Sequence, residues 1–85
     1  MARFIIERNF AEQLEFTKEA SDQVQQINDA EGVKWIFSFL SADKRKTYCL
    51  YEAPSAEAIR MAAERAGIPA DVITQVDEVN PAMFA

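Results

Sequence analysis

Histidine is absent from this chain, cysteine occurs once, at Cys49, and glycine only twice, at Gly32 and Gly67. Without imidazole no histidine-based nucleophile and base pair can be drawn, and two isolated glycines cannot build a phosphate-cradling loop. A single thiol leaves neither an intramolecular disulfide nor a cysteine-rich zinc site, and points to a reducing, cytoplasmic setting. Cations are scarce as well: the formal net charge is −5. That deficit argues against nucleic acid, whose backbone is neutralised by clustered Lys and Arg. The one basic cluster, Lys44-Arg45-Lys46, falls where a hairpin tip is expected. Long apolar runs are missing too, since the opening segment turns charged at Glu7 and Arg8 and no later run reaches membrane-spanning length. Neither secretion nor membrane insertion is expected.

What is present is a dense set of apolar side chains, 49% of the residues, in a chain of 85. A domain this small buries only about 60–65% of the surface that its unfolded chain exposes. Part of the apolar surface is therefore expected to meet another chain.

The spacing of those side chains changes period along the chain. Arg3 to Phe10 alternates like a strand. Ala11 to Ala30 carries Phe16, Ala20, Val24 and Ile27 on one helical stripe, and Gly32 supplies the stop. Val33 to Leu40 and Lys46 to Ala53 read as strands joined by the short polar turn 41–45. Pro54 ends the second of them, and Ser55 is placed to cap a helix with the stripe Ile59, Ala62, Ala63 and Ala66. Gly67, Ile68 and Pro69 form the expected C-terminal stop. Val72 to Val79 is the last strand, and residues 81–85 follow as a tail to a single domain of residues 1–80. The order β-α-β-β-α-β predicts a ferredoxin-like α+β sandwich, a four-stranded antiparallel sheet with both helices on one face. The third strand lacks the Gly-Phe-Gly-Phe pattern that RNA-recognition domains of similar order use.

No helix remains to cover the other sheet face. Period two places Trp35, Phe37 and Phe39 on one face of the second strand and Ile36, Ser38 and Leu40 on the other. Both faces are apolar, so a second copy of the chain is the expected cover. In the third strand Tyr48, Leu50 and Glu52 share a face, and Cys49 points to the helices as a core thiol. Glu7 and Glu52 are acids inside strands. Such a pair can bind a cation or, if burial raises a pKa, serve as general acid or base. Pairing with Arg3, Arg8 or Arg60 is the competing, purely structural role. Together these readings place a small-molecule or metal-ion site on the helix-free face, lined by Glu7, Trp35, Phe37, Tyr48 and Glu52.

The runs from Lys46 to Pro54 and from Glu57 through Arg60 to Ala66-Gly67-Ile68-Pro69-Ala70-Asp71, with Phe4 to Phe10 and Val33 to Phe39, carry a resemblance. Over almost its whole length the chain resembles a small bacterial family of domains of unknown function, one member of which is described as a nickel-binding protein. The resemblance implies a ferredoxin-like fold and a dimer. Its members often carry histidine where this chain has Phe37 and Ala62. Nickel prefers imidazole or thiolate, so nickel binding is not carried over, no residue is assigned as a metal ligand, and no cofactor is expected. The sequence thus predicts a cytoplasmic homodimeric binding protein with a small-molecule or metal-ion site on the helix-free sheet face. The alternative is a cofactor-independent enzyme of the isomerase, cyclase or monooxygenase type acting on a small aromatic.

Overall fold

In a computed structural model of the chain, which describes residues 1–13 and 17–84, alternation of the first residues builds β1 (Ala2–Asn9). Phe4, Ile6 and Arg8 are buried on one face, while Arg3, Ile5, Glu7 and Asn9 take the other. Helix α1 (Lys18–Glu31) begins later than the apolar stripe suggests, because its capping group is Thr17. The Thr17 hydroxyl accepts a bond from the Ala20 amide at 3.1 Å, satisfying one of the free donors of the first turn. Ala11 to Gln13 lie outside the helix, and Phe16 lies outside the described residues. Gly32 ends the helix at φ +72°, a conformation that costs other residues about 1–2 kcal/mol, and the Val33 amide returns to the Asn28 carbonyl.

Strands β2 (Lys34–Leu40) and β3 (Lys46–Ala53) form the expected hairpin. Its turn is held by Asp43, which accepts bonds from the Ser41 hydroxyl and the Arg45 amide. The Ser41 bond, with that amide next, holds the Asp43 carboxyl below its ordinary pKa. Helix α2 (Ala56–Ala66) is capped by Ser55, buries Ile59, Ala62 and Ala63, and ends at Gly67. The chain returns as β4 (Val72–Val76) and closes with a 3₁₀ turn, Pro81–Phe84. Strand β4 stops three residues short of Val79 because its partner runs out. Val76 already stands opposite Arg3, near the start of β1.

The sheet order is β2-β3-β1-β4, every pair antiparallel, and both helices lie on one face. Phe4, Ile6, Cys49, Tyr51, Ile59 and Ala62 form the centre of the core between sheet and helices. An Arg65–Glu31 contact of 2.7 Å ties α2 to the end of α1. This is the ferredoxin-like sandwich that the element order predicts.

The exception to simple alternation is in β2. Trp35 pairs with Tyr51 and Phe37 with Leu50, so two residues advance on β2 while one advances on β3. The extra residue, Ile36, makes a β-bulge. Trp35 consequently faces the helices with Ser38, and Phe37 and Phe39 face away. The expected common face of Trp35, Phe37 and Phe39 is therefore corrected: the bulge inverts the alternation between residues 35 and 37.

Candidate functional site

The helix-covered side of the sheet contains a cavity of about 140 Å³ beneath the N-terminal turns of α1. Its floor is Arg8 of β1, Trp35 and Ser38 of β2, and Thr47, Cys49 and Tyr51 of β3. Ala20, Ser21 and Val24 of α1 roof it, and Phe10 and Ile68 close its sides. The floor residues of β1 and β3 follow from strand period, with Arg8 in phase with Phe4 and Ile6, and Cys49 and Tyr51 in phase with Thr47, while the bulge brings Trp35 to the side of Ser38.

The polar groups of the floor are tied into a chain. The Trp35 indole N–H donates to the Ser38 oxygen at 2.9 Å, and the Ser38 hydroxyl donates to the Cys49 sulfur at 2.7 Å. The Cys49 thiol in turn stands 3.6 Å from the Thr47 hydroxyl. The buried Asn28 amide makes a long 3.5 Å contact to the Tyr51 hydroxyl. Burial is the main cause pushing the Tyr51 phenol above its ordinary pKa, partly offset by the positive charge of Arg8.

Arg8 is the unusual member. It is only 3% exposed, its Nη1 donates to the Pro69 carbonyl, and its guanidinium lies over the Tyr51 ring at 5.8 Å. Among the described residues no carboxylate lies within ion-pair distance of it.

The opposite face carries three cross-strand rows. Phe39, Tyr48, Glu7 and Val72 form one, Phe37, Leu50, Ile5 and Thr74 the second, and Lys34, Glu52, Arg3 and Val76 the third. Phe37 and Phe39 pack edge to face at 5.3 Å yet are 46% and 65% exposed. Glu52 meets Arg3 at 3.5 Å, and Glu7 meets Lys46 at 3.2 Å. The bond to Glu7 is the main reason the Lys46 ammonium sits above its ordinary pKa, with Tyr48 next.

Of the five residues expected to share a site, Glu7, Phe37, Tyr48 and Glu52 share this face and Trp35 does not. The two acids are not a pair either. Glu7 stands opposite Tyr48, four residues from Glu52 along β3, a distance of about 13 Å at strand rise. They cannot share a proton or one small cation. The cavity residues Arg8, Ser38, Thr47 and Tyr51 were not anticipated as a site. Their signal was present in the phase of Arg8 with two core residues, an unusual place for a guanidinium.

A four-stranded antiparallel sheet with two helices on one face, an open apolar face on the other and a cavity under one helix defines a small ferredoxin-like domain. Residues 4–76 match the family described as "Nickel responsive protein SCO4226-like", and the chain belongs to that family. Among solved structures it is similar to SCO4226 from Streptomyces coelicolor A3(2), at 30% identity and a TM-score of 0.70, over 93% of this chain and all of that one. No curated protein matches it.

The residues present do not fit a nickel centre. Among the described residues no three of Cys, Asp and Glu stand close enough to hold a metal ion, and the only thiol is committed to the floor of the cavity. Positions 37 and 62 also lie on opposite sides of the sheet, Phe37 on the open face and Ala62 buried beneath α2. Imidazoles placed at both could not meet on one ion within a single chain.

Proposed function

We propose that this protein is a small-molecule binding protein that works as a homodimer, holding its ligand in the cavity beneath α1 and meeting its partner across the helix-free sheet face. The observation that carries the reading is the cavity itself. Its walls are largely apolar, and Trp35, Ser38 and Cys49 of its floor are tied to one another, leaving shape, apolar contact and the Arg8 guanidinium as the basis of recognition. At about 140 Å³ it matches the volume of dry apolar cavities that accept benzene. The open face supports the dimer: four of its charges are paired within one chain, as Arg3–Glu52 and Lys46–Glu7, and Phe37, Phe39 and Tyr48 stand beside them to meet a second copy.

An enzymatic role on a small aromatic has less support, because Glu7 and Glu52, the acids it would use, lie on the far side of the sheet from the cavity. Response to nickel is what the family's description says; among the described residues this chain's donor set gives it no ligand cluster. The single tryptophan offers a direct test. Adding benzene should shift the Trp35 indole N–H resonance and the Val24 and Ile68 methyl signals while leaving Phe37 and Phe39 unmoved. Unchanged cavity signals at saturating benzene would refute the reading.

A further inference from the structure

Burying a guanidinium without an acid is expensive, because a charge removed from water needs hydrogen bonds and a counter-charge to recover its hydration. Arg8 has a carbonyl, from Pro69, and an aromatic face, from Tyr51. Neither is an anion. Among the described residues no buried side-chain nitrogen or oxygen lacks a partner. Among the described residues the bond to Pro69 engages only Nη1, and the cavity is open space that Arg8 lines. The N-terminal turns of α1 form the roof, and the positive end of a helix dipole adds to the same sign of potential. The walls, by contrast, are Phe10, Val24, Trp35 and Ile68.

We propose that the cavity takes a small organic monocarboxylate, its compact aromatic or branched aliphatic body among Val24, Trp35 and Ile68 and its carboxylate on Arg8. The assignment rests on the small-molecule reading above and adds the ligand's charge. A guanidinium presents parallel N–H donors that match a carboxylate, and one anion would supply the counter-charge that no described residue provides. The volume restricts the body to about one six-membered ring. Inorganic phosphate is excluded by the apolar walls.

The test uses benzoate, its uncharged isostere benzamide and inorganic phosphate, each titrated into the full chain by calorimetry and by the Trp35 indole resonance. Benzoate should bind at least about tenfold more tightly than benzamide, and phosphate not at all, the ratio following from a charge-assisted hydrogen bond. Arg8→Met, which keeps length and removes charge, should reduce benzoate affinity about ten- to hundred-fold and leave benzamide within about threefold. Should Arg8→Met fail to fold, Val24→Phe decides the location, since filling the cavity should abolish benzoate binding with Arg8 intact. Equal affinity for benzoate and benzamide in the unmodified protein would overturn the carboxylate assignment and leave the small-molecule reading standing. Benzoate binding that survives Val24→Phe would also overturn it. Failure of benzoate, benzamide and benzene alike would sink both.

Discussion

Glu52 shows how a charge inside a strand can be ordinary. Its carboxylate meets Arg3 across β1 and β3, and both side chains keep substantial contact with solvent. Exposed pairs of this kind typically contribute 0–1 kcal/mol, because water screens them and two long side chains must be held still. Glu52→Gln should therefore lower stability by less than about 1 kcal/mol in urea unfolding. A stability gain would show instead that the acid is a strained, unpaired charge. Tyr51 is a stronger case, being buried among core residues with its hydroxyl near Asn28. Because burial raises its pKa in the folded state, folding favours the protonated phenol. That contribution is complete below the unfolded value of about 10 and is lost as pH rises through the folded value. Lys46 acts in the same direction, since its pKa is raised by the bond to Glu7. Stability should thus decline above about pH 10, and Tyr51→Phe should make that decline shallower in unfolding curves recorded between neutral and alkaline pH. An unchanged slope would mean that Tyr51 ionises without opening the core.

The elements follow their sequence signals where those signals are local. Ser55 and Gly67 bracket α2, and Gly32 ends α1, each as its chemistry dictates. The start of α1 was misplaced because an apolar period says where a stripe lies and not where a cap forms, and Thr17 holds the cap. Strand β4 was read too long because its length depends on β1, a partner some seventy residues away. The bulge at Ile36 was invisible for a similar reason: counting by twos assumes that every residue has an opposite number, and only the pairing with β3 reveals the one that does not. That error moved Trp35 to the wrong face and with it the expected site, while Glu7, Phe37, Tyr48 and Glu52 were placed on a common face as anticipated. The bulge makes a sharp prediction. Deleting Ile36 should leave Trp35 toward the helices and Phe37 away from them, giving a regular β2 and a folded protein with a half-buried indole. Deleting Ser38 should put residues on one side of the gap out of phase and prevent folding. Tryptophan fluorescence and circular dichroism of the two deletions check this, and equal damage from both would mean that the bulge itself is required.

At the scale of the whole molecule the two sides of the sheet divide the work. One side is closed by α1 and α2 and holds the cavity, while the other leaves Phe39 at 65% and Phe37 at 46% exposure beside Tyr48 and Val72. Contiguous apolar surface of this kind is uncommon on an isolated monomer. The Arg3–Glu52 and Lys46–Glu7 pairs need no acid or base from a partner, so a second copy lying against them strands neither pair. The protein should sediment as a dimer at micromolar concentration. Phe39→Glu places an unpaired carboxylate within that proposed contact, where a buried charge without its partner costs about 3–5 kcal/mol, so dimer affinity should fall at least about hundredfold. Met61→Glu is the matching control, since Met61 is comparably exposed but lies on α2, on the opposite side of the sheet. It should leave the dimer intact. A monomer at micromolar concentration in the unmodified protein would refute the shared face, as would equal dissociation by both substitutions. Because cavity and contact face lie on opposite sides of the sheet, Phe39→Glu monomers should still respond to benzene at the Trp35 indole, and loss of that response would show that the partner shapes the cavity through the sheet.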